Sequence, residues 1–254
     1  MSIRRVKSKW AKTAVLLRSD YLRGHMPDTR LFSHASLQAM LDQYGMVYVK
    51  PVNGTYGNGV MRVEKMLRKS GFRCQLGTSI REYSTFDGLY TYLNWHAQRR
   101  MHIVQKGIHL LRHKGRRFDI RVMVQKNPRG AWEATGTIGR LAFPGKIVTN
   151  YHSGGTPMAL ERLMEGHASG MRLNMFQQQL NRLSVAVATQ LEATYPGIKE
   201  IGVDIAIDAK LHPWILEVNT LPDPYIFRKL PDKSVFRRIY RYASLYGRFK
   251  RSKV

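Results

Sequence analysis

Residues 47–60 read Val47-Tyr48-Val49-Lys50-Pro51-Val52-Asn53-Gly54-Thr55-Tyr56-Gly57-Asn58-Gly59-Val60, and the fold turns on how this stretch is understood. Residues 46–49 alternate like a strand, three glycines fall within positions 54–59, and 60–63 resumes the strand pattern. Glycine, lacking Cβ, lets the backbone approach a ligand closely and turn its N–H groups toward phosphate oxygens. Lys50 stands at the end of the first strand, where an ammonium can meet a phosphate. The stretch lacks the Gly-Lys-Ser/Thr and the following helix of a Walker A loop. Strands on both sides also argue against the helix-flanked Gly-X-X-Gly clamp of KH RNA-binding domains. A strand–loop–strand flap over phosphates fits best. A plain hairpin with a surface lysine has the same local pattern, so the rest of the chain has to decide.

Two further segments carry acids. Gly202-Val203-Asp204-Ile205-Ala206-Ile207-Asp208 and Ile215-Leu216-Glu217-Val218-Asn219 read as strands joined by a short polar loop at 209–212. On the second strand Glu217 and Asn219 share one face, while Leu216 and Val218 point into the core. That loop sets Asp208 opposite Pro213 and Asp204 opposite Glu217. Opposed residues lie about 5 Å apart, so two carboxylates meet with no basic neighbour in the local sequence. A cation between them relieves the repulsion, and oxygen ligands with an added amide suit Mg²⁺ bridging nucleotide phosphates. The alternative is an ion pair with one of the chain's 42 basic residues. In Phe118-Asp119-Ile120-Arg121-Val122-Met123-Val124, Asp119 and Arg121 share the strand face opposite the apolar residues. A strand-borne arginine is rigid enough to clamp a phosphoryl group, and it serves equally in a structural ion pair.

Around these segments, 33–44 reads as a helix with Leu37, Met40 and Leu41 inward and Gly45 as its stop; 86–98 reads as another. Residues 103–104, 132–143 and 147–151 continue the β pattern, and a basic loop occupies 112–117. The clearest helix is 174–195, with Phe176, Leu180, Leu183, Val187 and Leu191 in one stripe and Pro196-Gly197 as its stop. Residues 235–246 form a second amphipathic helix with a basic polar face. Helices and strands mix without a βαβ rhythm, so the fold class is α+β.

Forty-two Lys and Arg against 17 Asp and Glu give a net charge of +25, which attracts polyanions such as nucleic acid, anionic lipid or an acidic polymer. The basic residues cluster at 4–12, 112–121 and 229–253. Charge alone needs neither a glycine flap nor paired acids, so nucleic acid is not expected as the specific partner. The lone Cys74 excludes an internal disulfide and a cysteine zinc site, and the histidines lack a two-His metal spacing. No apolar run reaches membrane-spanning length, and residues 1–12 are basic without a following apolar stretch. A cytoplasmic protein without a transmembrane segment is expected.

Taken in order, these segments resemble the ATP-grasp superfamily, and within it the YheC/YheD endospore coat-associated proteins. The likeness rests on Ser8-Lys9-Trp10, Pro27-Asp28-Thr29, Val49-Lys50-Pro51 and Phe118-Asp119-Ile120-Arg121. It extends to Thr149-Asn150 with Gly154-Gly155, and to Gly202-Val203-Asp204 with Glu217-Val218-Asn219, so it covers nearly the whole chain. The resemblance implies an ATP-grasp fold of two α+β lobes with nucleotide between them. The N-terminal lobe with the flap would span about 1–104, the C-terminal lobe with the metal site about 105–230, and a basic helix and tail 231–254.

By that resemblance Lys50 contacts ATP phosphates, and Gly54, Thr55, Tyr56, Gly57, Asn58 and Gly59 close over them. Gln105, Lys106, Gly107 and Ile108 form the hinge that holds adenine, largely through backbone groups. Arg121 and Arg140 stabilise the phosphoryl group or an acyl-phosphate, Asn150 is a further phosphate-side residue, and Asp204, Glu217 and Asn219 hold Mg²⁺. Lys9 or Lys12 is the family's early lysine, and spacing does not choose between them. The implied activity is an ATP-dependent carboxylate–amine ligase acting through an acyl-phosphate, associated with spore coat or cell wall; the +25 charge adds the expectation of an anionic coat or wall polymer as partner. The other implied reading is a nucleotide-binding, coat-associated protein with little turnover. The sequence departs from the wider pattern in two places. The hinge carries Gln105-Lys106 where many members have an acid, and the chain begins almost at the early lysine, so the α/β domain that usually precedes it is expected to be missing.

Overall fold

Ser8 caps the first helix, its Oγ accepting from the Ala11 N–H at 3.1 Å. In this computed structural model, which describes residues 3–55, 57–67, 70–97 and 100–249, that helix is α1 (Lys9–Leu16). Tyr56 and the last five residues of the basic tail lie outside the described residues. Helix α2 (Asp20–Arg23), strand β1 (Thr29–Leu31), helix α3 (His34–Tyr44) and strand β2 (Met46–Pro51) follow. After the flap come β3 (Met61–Lys65), β4 (Phe72–Leu76), β5 (Ser79–Tyr83), α4 (Phe86–Ala97) and β6 (His102–Lys106). Next are β7 (Arg112–His113), β8 (Arg116–Lys126), β9 (Trp132–Leu141), β10 (Thr156–Met158) and α5 (Leu160–Leu163). The chain continues with α6 (Gly170–Thr194), β11 (Glu200–Ile207), β12 (Pro213–Asn219) and α7 (Lys233–Leu245).

Local chemistry explains several of these boundaries. Ser33 and Ser36 form a capping box at the start of α3, and Gly45 ends the helix in the left-handed region at φ 69°. Helix α6 buries the expected stripe from Phe176 to Leu191 and starts earlier than its apolar pattern, at Gly170. The basic 112–117 segment is a tight hairpin, turned by Lys114 at φ 47° and Gly115 at φ 76°. Residues 147–151 were expected as a strand and form none. Gly155 N–H donates to Asn150 O at 3.0 Å, and a Cβ on Gly155 would stand 2.1 Å from Thr149 O. The chain folds back on itself there, which only glycine permits.

The first sheet runs β1-β6-β2-β3-β4-β5 with antiparallel pairings. Helices α3 and α4 supply Leu37, Met40, Leu41, Leu89 and Leu93 to its core, where they meet Val47, Val49 and Val63. The second sheet runs β10-β9-β8-β11-β12, with β7 paired to β8. Helix α6 packs on the face that carries Phe118, Ile120, Val122, Val203 and Ile205. Val15, Leu16, Leu22 and Met26 join this second core, so the segment up to residue 26 packs with the second lobe instead of the first. Alternation along β8 puts Met123 on the opposite face, where α7 and a short 3-10 turn bury Ile239 and Phe227 against it. The C-terminal helix is thus built into the second lobe, and the rest of its sheet face is left for the site. Among the described residues, no helix is long and apolar enough to cross a membrane.

Candidate functional site

A cleft of about 810 Å³, its mouth included, lies between the two sheets. Strand β2 pairs with β3 from Val49↔Met61 back toward Met46↔Glu64, so residues 52–55 and 57–60 arch beyond the sheet end as the sequence pattern predicts. Gly57 at φ 75° and Gly59 at φ 72° hold the arch in the left-handed region. A Cβ on Gly57 would stand 2.9 Å from Asn150 Nδ2 and 3.1 Å from Val148 Cγ1. At Gly57, therefore, the flap reaches the opposite lobe. Asn150, held by the 154–155 turn, lines the cleft there.

The early lysines separate cleanly. Lys9 Nζ donates to Gly54 O of the flap at 2.8 Å and lies 3.4 Å from Glu217 Oε1. Lys12 Nζ donates to Val6 O at 2.9 Å and does not line the main cleft. Burial pushes the Lys12 ammonium down to about 8. Lys50 is in the cleft wall, its Nζ donating to Gln105 Oε1 at 2.6 Å. Thr29 fixes that amide, its Oγ1 accepting from Gln105 Nε2 at 3.1 Å. Burial pushes Lys50 down to about 8 against the opposing pull of Glu217, so at neutral pH it still carries most of its proton.

Gln105, expected at the hinge, thus spends its side chain on positioning Lys50. Two hinge N–H groups are also committed within the chain: Lys106 to Asp28 O at 2.8 Å and Gly107 to Met46 O at 2.9 Å. Gly107 has no room for a side chain, since a Cβ would stand 2.5 Å from Met46 Cε. Lys106 and Ile108 both line the cleft.

The second sheet contributes a ladder of buried charge. Register places Asp119 opposite Arg140 on β8 and β9, and Asp204 opposite Arg121 on β11 and β8. Arg140 Nε donates to Asp119 Oδ1 at 2.8 Å, and its Nη2 lies 3.1 Å from Asp204 Oδ1. Arg121 grips Asp204 with two nitrogens, Nη2 donating to Oδ2 at 2.9 Å. Burial alone would raise the Asp204 carboxyl, but Arg121 and Arg140 outweigh it and hold the group ionised. Burial likewise opposes the Arg140 charge, and Asp119 and Asp204 overcome it.

The predicted register Asp204↔Glu217 is present, with a bulge after it. Beyond the bulge Ile205 faces Ile215 and Ile207 faces Pro213, so the expected Asp208–Pro213 pairing is displaced. Leu216, expected in the core, is the bulged residue and lines the cleft. No basic residue stands beside the two acids in the local sequence, and the ion-pair alternative is met from a distance: Asp204 has two guanidiniums, drawn from strands distant in sequence, and Glu217 has Lys9.

Asn219 Nδ2 lies 3.4 Å from Asp204 Oδ2. Turning the amide over lets its nitrogen donate to Glu217 Oε1 at 3.3 Å and its oxygen accept from Arg121 Nη2 at 3.1 Å. Asp204, Glu217 and Asn219 therefore surround one point at the cleft wall. Among the described residues no cluster of three His, Cys, Asp or Glu forms a closed metal cage. Two carboxylates and an amide are an open oxygen set, which fits Mg²⁺ completing its shell with phosphates and water.

Several cleft residues carry no chemical signature in the sequence. Leu110, Ile147, Val148, Leu216 and Tyr48 give the cleft apolar walls suited to a flat base. Beyond Thr55, Asn150 and Glu217 the cleft continues into an outer groove lined by Lys7, Lys12, Arg121 and Arg248.

A glycine flap on one antiparallel sheet, closing on a second sheet with an Asp/Glu/Asn wall, defines the ATP-grasp fold, and solved structures agree. D-cycloserine synthetase DcsG is similar at a TM-score of 0.58 and 13% identity, over 96% of this chain and 70% of that one. The D-alanine-D-alanine ligase of Coxiella burnetii is similar at 0.53 and 13%, over 95% and 58%. The chain belongs to the YheC/D-like ATP-grasp family, whose model matches residues 3–249. It is 26% identical over 250 residues to the endospore coat-associated protein YheD of Bacillus subtilis (strain 168), covering 93% of this chain and 54% of YheD. To YheC of the same strain, also described as endospore coat-associated, it is 19% identical over 222 residues, covering 86% and 61%. The chain thus spans little more than half the length of these relatives.

Proposed function

We propose that this protein is an ATP-dependent carboxylate–amine ligase that works through an acyl-phosphate. The observation that carries the reading is the convergence of Lys9, Lys50, the glycine flap and Asn150 with the Asp204/Glu217/Asn219 wall around one cleft. The base would lie between the apolar walls at the hinge 105–108, and the phosphates would run beneath Gly54, Thr55, Gly57, Asn58 and Gly59. Lys50 and Lys9 would neutralise phosphate charge. Asp204, Glu217 and Asn219 would hold Mg²⁺, which when bound supplies charge neutralisation at the phosphate oxygens.

In the first step a carboxylate oxygen of the donor attacks the γ-phosphorus, and the bond to ADP breaks. An amine then attacks the acyl carbon, inorganic phosphate leaves, and the amine loses a proton to form the amide. Arg140, at the cleft wall, and Arg121, at the outer groove, would stabilise charge on the phosphoryl group as it moves. The acceptor is proposed to be carried on an anionic spore-coat or wall polymer drawn in by the +25 surface, with the protein made in the cytoplasm. A second reading, a nucleotide-binding coat-associated protein with little turnover, is favoured by one feature: Asp204 is already satisfied by two guanidiniums.

ADP release measured with and without amino-acid and spore-wall extracts tests the proposal. Acceptor-stimulated release is the expected result. Nucleotide binding with no stimulation by any extract supports the second reading and overturns the first.

A further inference from the structure

A second concavity lies outside the hinge, on the far side of Lys106 and Ile108 from the nucleotide cleft. Its walls are the first half of α6 and the β11–β12 turn. Its volume of about 1170 Å³ lies just above the roughly 300–1,000 Å³ of a small-molecule pocket. Along α6 it presents Arg172, Met175, Gln178, Gln179 and Arg182, a spacing that puts them on one helical face. Met175 is 63% exposed, so this stripe sets an apolar side chain among basic ones, with no covering element among the described residues.

The charge is one-sided. Lys106, Arg172, Arg182 and Lys210 border the groove, and among the described residues none of them forms an ion pair. The one acid in the lining, Asp208, is fully used. Its Oδ1 accepts from the Lys210 and His212 N–H groups at 2.9 and 3.0 Å, and its Oδ2 accepts from Trp214 Nε1 at 2.9 Å. Four cations against one carboxylate leave the groove strongly positive, which fits an anionic partner.

The other surfaces of the groove choose among polyanions. Single-stranded nucleic acid needs open ring faces for its bases. Here His212 stacks on His25 at 4.8 Å and packs edge-on to Trp214 at 4.6 Å, while the Lys106 ammonium sits 4.9 Å from the Trp214 ring centre. The rings are already taken. A membrane surface would not follow a concave wall, and a second copy of a chain with +25 would repel this one. An extended polypeptide suits what is left: carboxylates for the arginine forks, backbone amides for Gln178 and Gln179, apolar side chains for the Met175 thioether.

We infer that this groove docks an acidic polypeptide segment interspersed with apolar residues. The inference is independent of ligase activity, and its test needs no nucleotide. The probe is a labelled glutamate-rich peptide with interspersed leucines, titrated by anisotropy into the full chain while tryptophan fluorescence is followed. Binding should alter the fluorescence, and Trp214→Phe should abolish that change. The combined variant Arg172→Ser, Arg182→Ser and Lys210→Ser, all exposed positions, should weaken binding by about tenfold or more. Arg237→Ser with Arg241→Ser on α7 removes exposed charge elsewhere and should change it less than about twofold. Equal losses from both sets would mean that only net charge matters and would overturn the proposal. So would peptide binding without a Trp214 response, or single-stranded DNA or anionic vesicles that depend on the groove arginines as strongly as the peptide does.

Discussion

Replacing Arg140 by methionine should harm the protein more than the same replacement of Arg121, and the charge ladder says by how much. Asp204 is the one carboxylate Arg121 pairs with among the described residues, and Arg140 remains 3.1 Å from that carboxylate when Arg121 is gone. Arg140 touches both Asp119 and Asp204, so its loss leaves Asp119 buried without a guanidinium. Breaking a buried pair costs about 3–5 kcal/mol because an uncompensated charge stays behind. Arg121→Met belongs at the lower end, about 3 kcal/mol, and Arg140→Met at the upper end, about 5 kcal/mol. For a chain of this size each kcal/mol lowers the thermal midpoint by about 2–4 °C, so falls of roughly 6–12 °C and 10–20 °C are expected. Circular dichroism melts and urea titrations measure both. The double variant Arg140→Met/Asp119→Leu should recover part of the loss, since no carboxylate is then stranded at that rung. An order reversed between the two arginines, or losses under about 1 kcal/mol for both, would refute the ladder as the organising feature of this sheet face.

Lys50→Ala should weaken nucleotide binding by about 1.5–3 kcal/mol, roughly 10–150-fold by calorimetry, as expected for one charged hydrogen-bonding partner. Gly57→Ala forces a Cβ into a left-handed position against Asn150 and Val148, at about 1–2 kcal/mol of backbone strain alone. It should lower nucleotide affinity about tenfold and the thermal midpoint by roughly 2–8 °C, and unchanged affinity would remove the flap from the site. Cys74 is buried, and burial pushes its thiol up to about 12, so it should resist thiol reagents at neutral pH until the chain unfolds. Its unfolded thiol titrates first, so the folded state binds the extra proton and stability should fall with rising pH. The window runs from the ordinary value of 9.0 to about 12. The slope should reach at most about 1.4 kcal/mol per pH unit, and Cys74→Ala should lack it.

Helix α3, the flap strands, β8 and the β11–β12 hairpin were all legible because each is decided by neighbours in sequence. Caps, turns and alternation are local, and Ser33 with Gly45 or Asp204 with Glu217 can be placed from a few residues. What escaped depends on distant partners. Nothing beside Asp119 announces Arg140, because the pair is made by the register of β8 and β9, which itself shifts at Met123/Val124. The apolar Ile147-Val148 pair reads as strand, and only the Gly154-Gly155 turn overrules it. Helix α1 is short and its apolar residues are buried against α6, a contact no local pattern contains. Its Ser8 cap was the one available signal. Lys9 and Lys12 lie within one turn of the same helix, and the direction each takes was set by the flap and by Val6.

The chain crosses between the lobes twice, after Met26 on the way out and after Lys106 on the way back. The Lys106 N–H to Asp28 O bond of 2.8 Å holds the two crossings side by side. A single tether would let one body swivel in every direction. Two adjacent tethers act like the pins of a door: they leave a swing about the line joining them and resist twist. Any opening of the cleft is then a one-dimensional motion. A swing about that line would bring Gly57 back to Asn150 in the same register, so the fit between flap and wall would be set by the hinge and not found again by search.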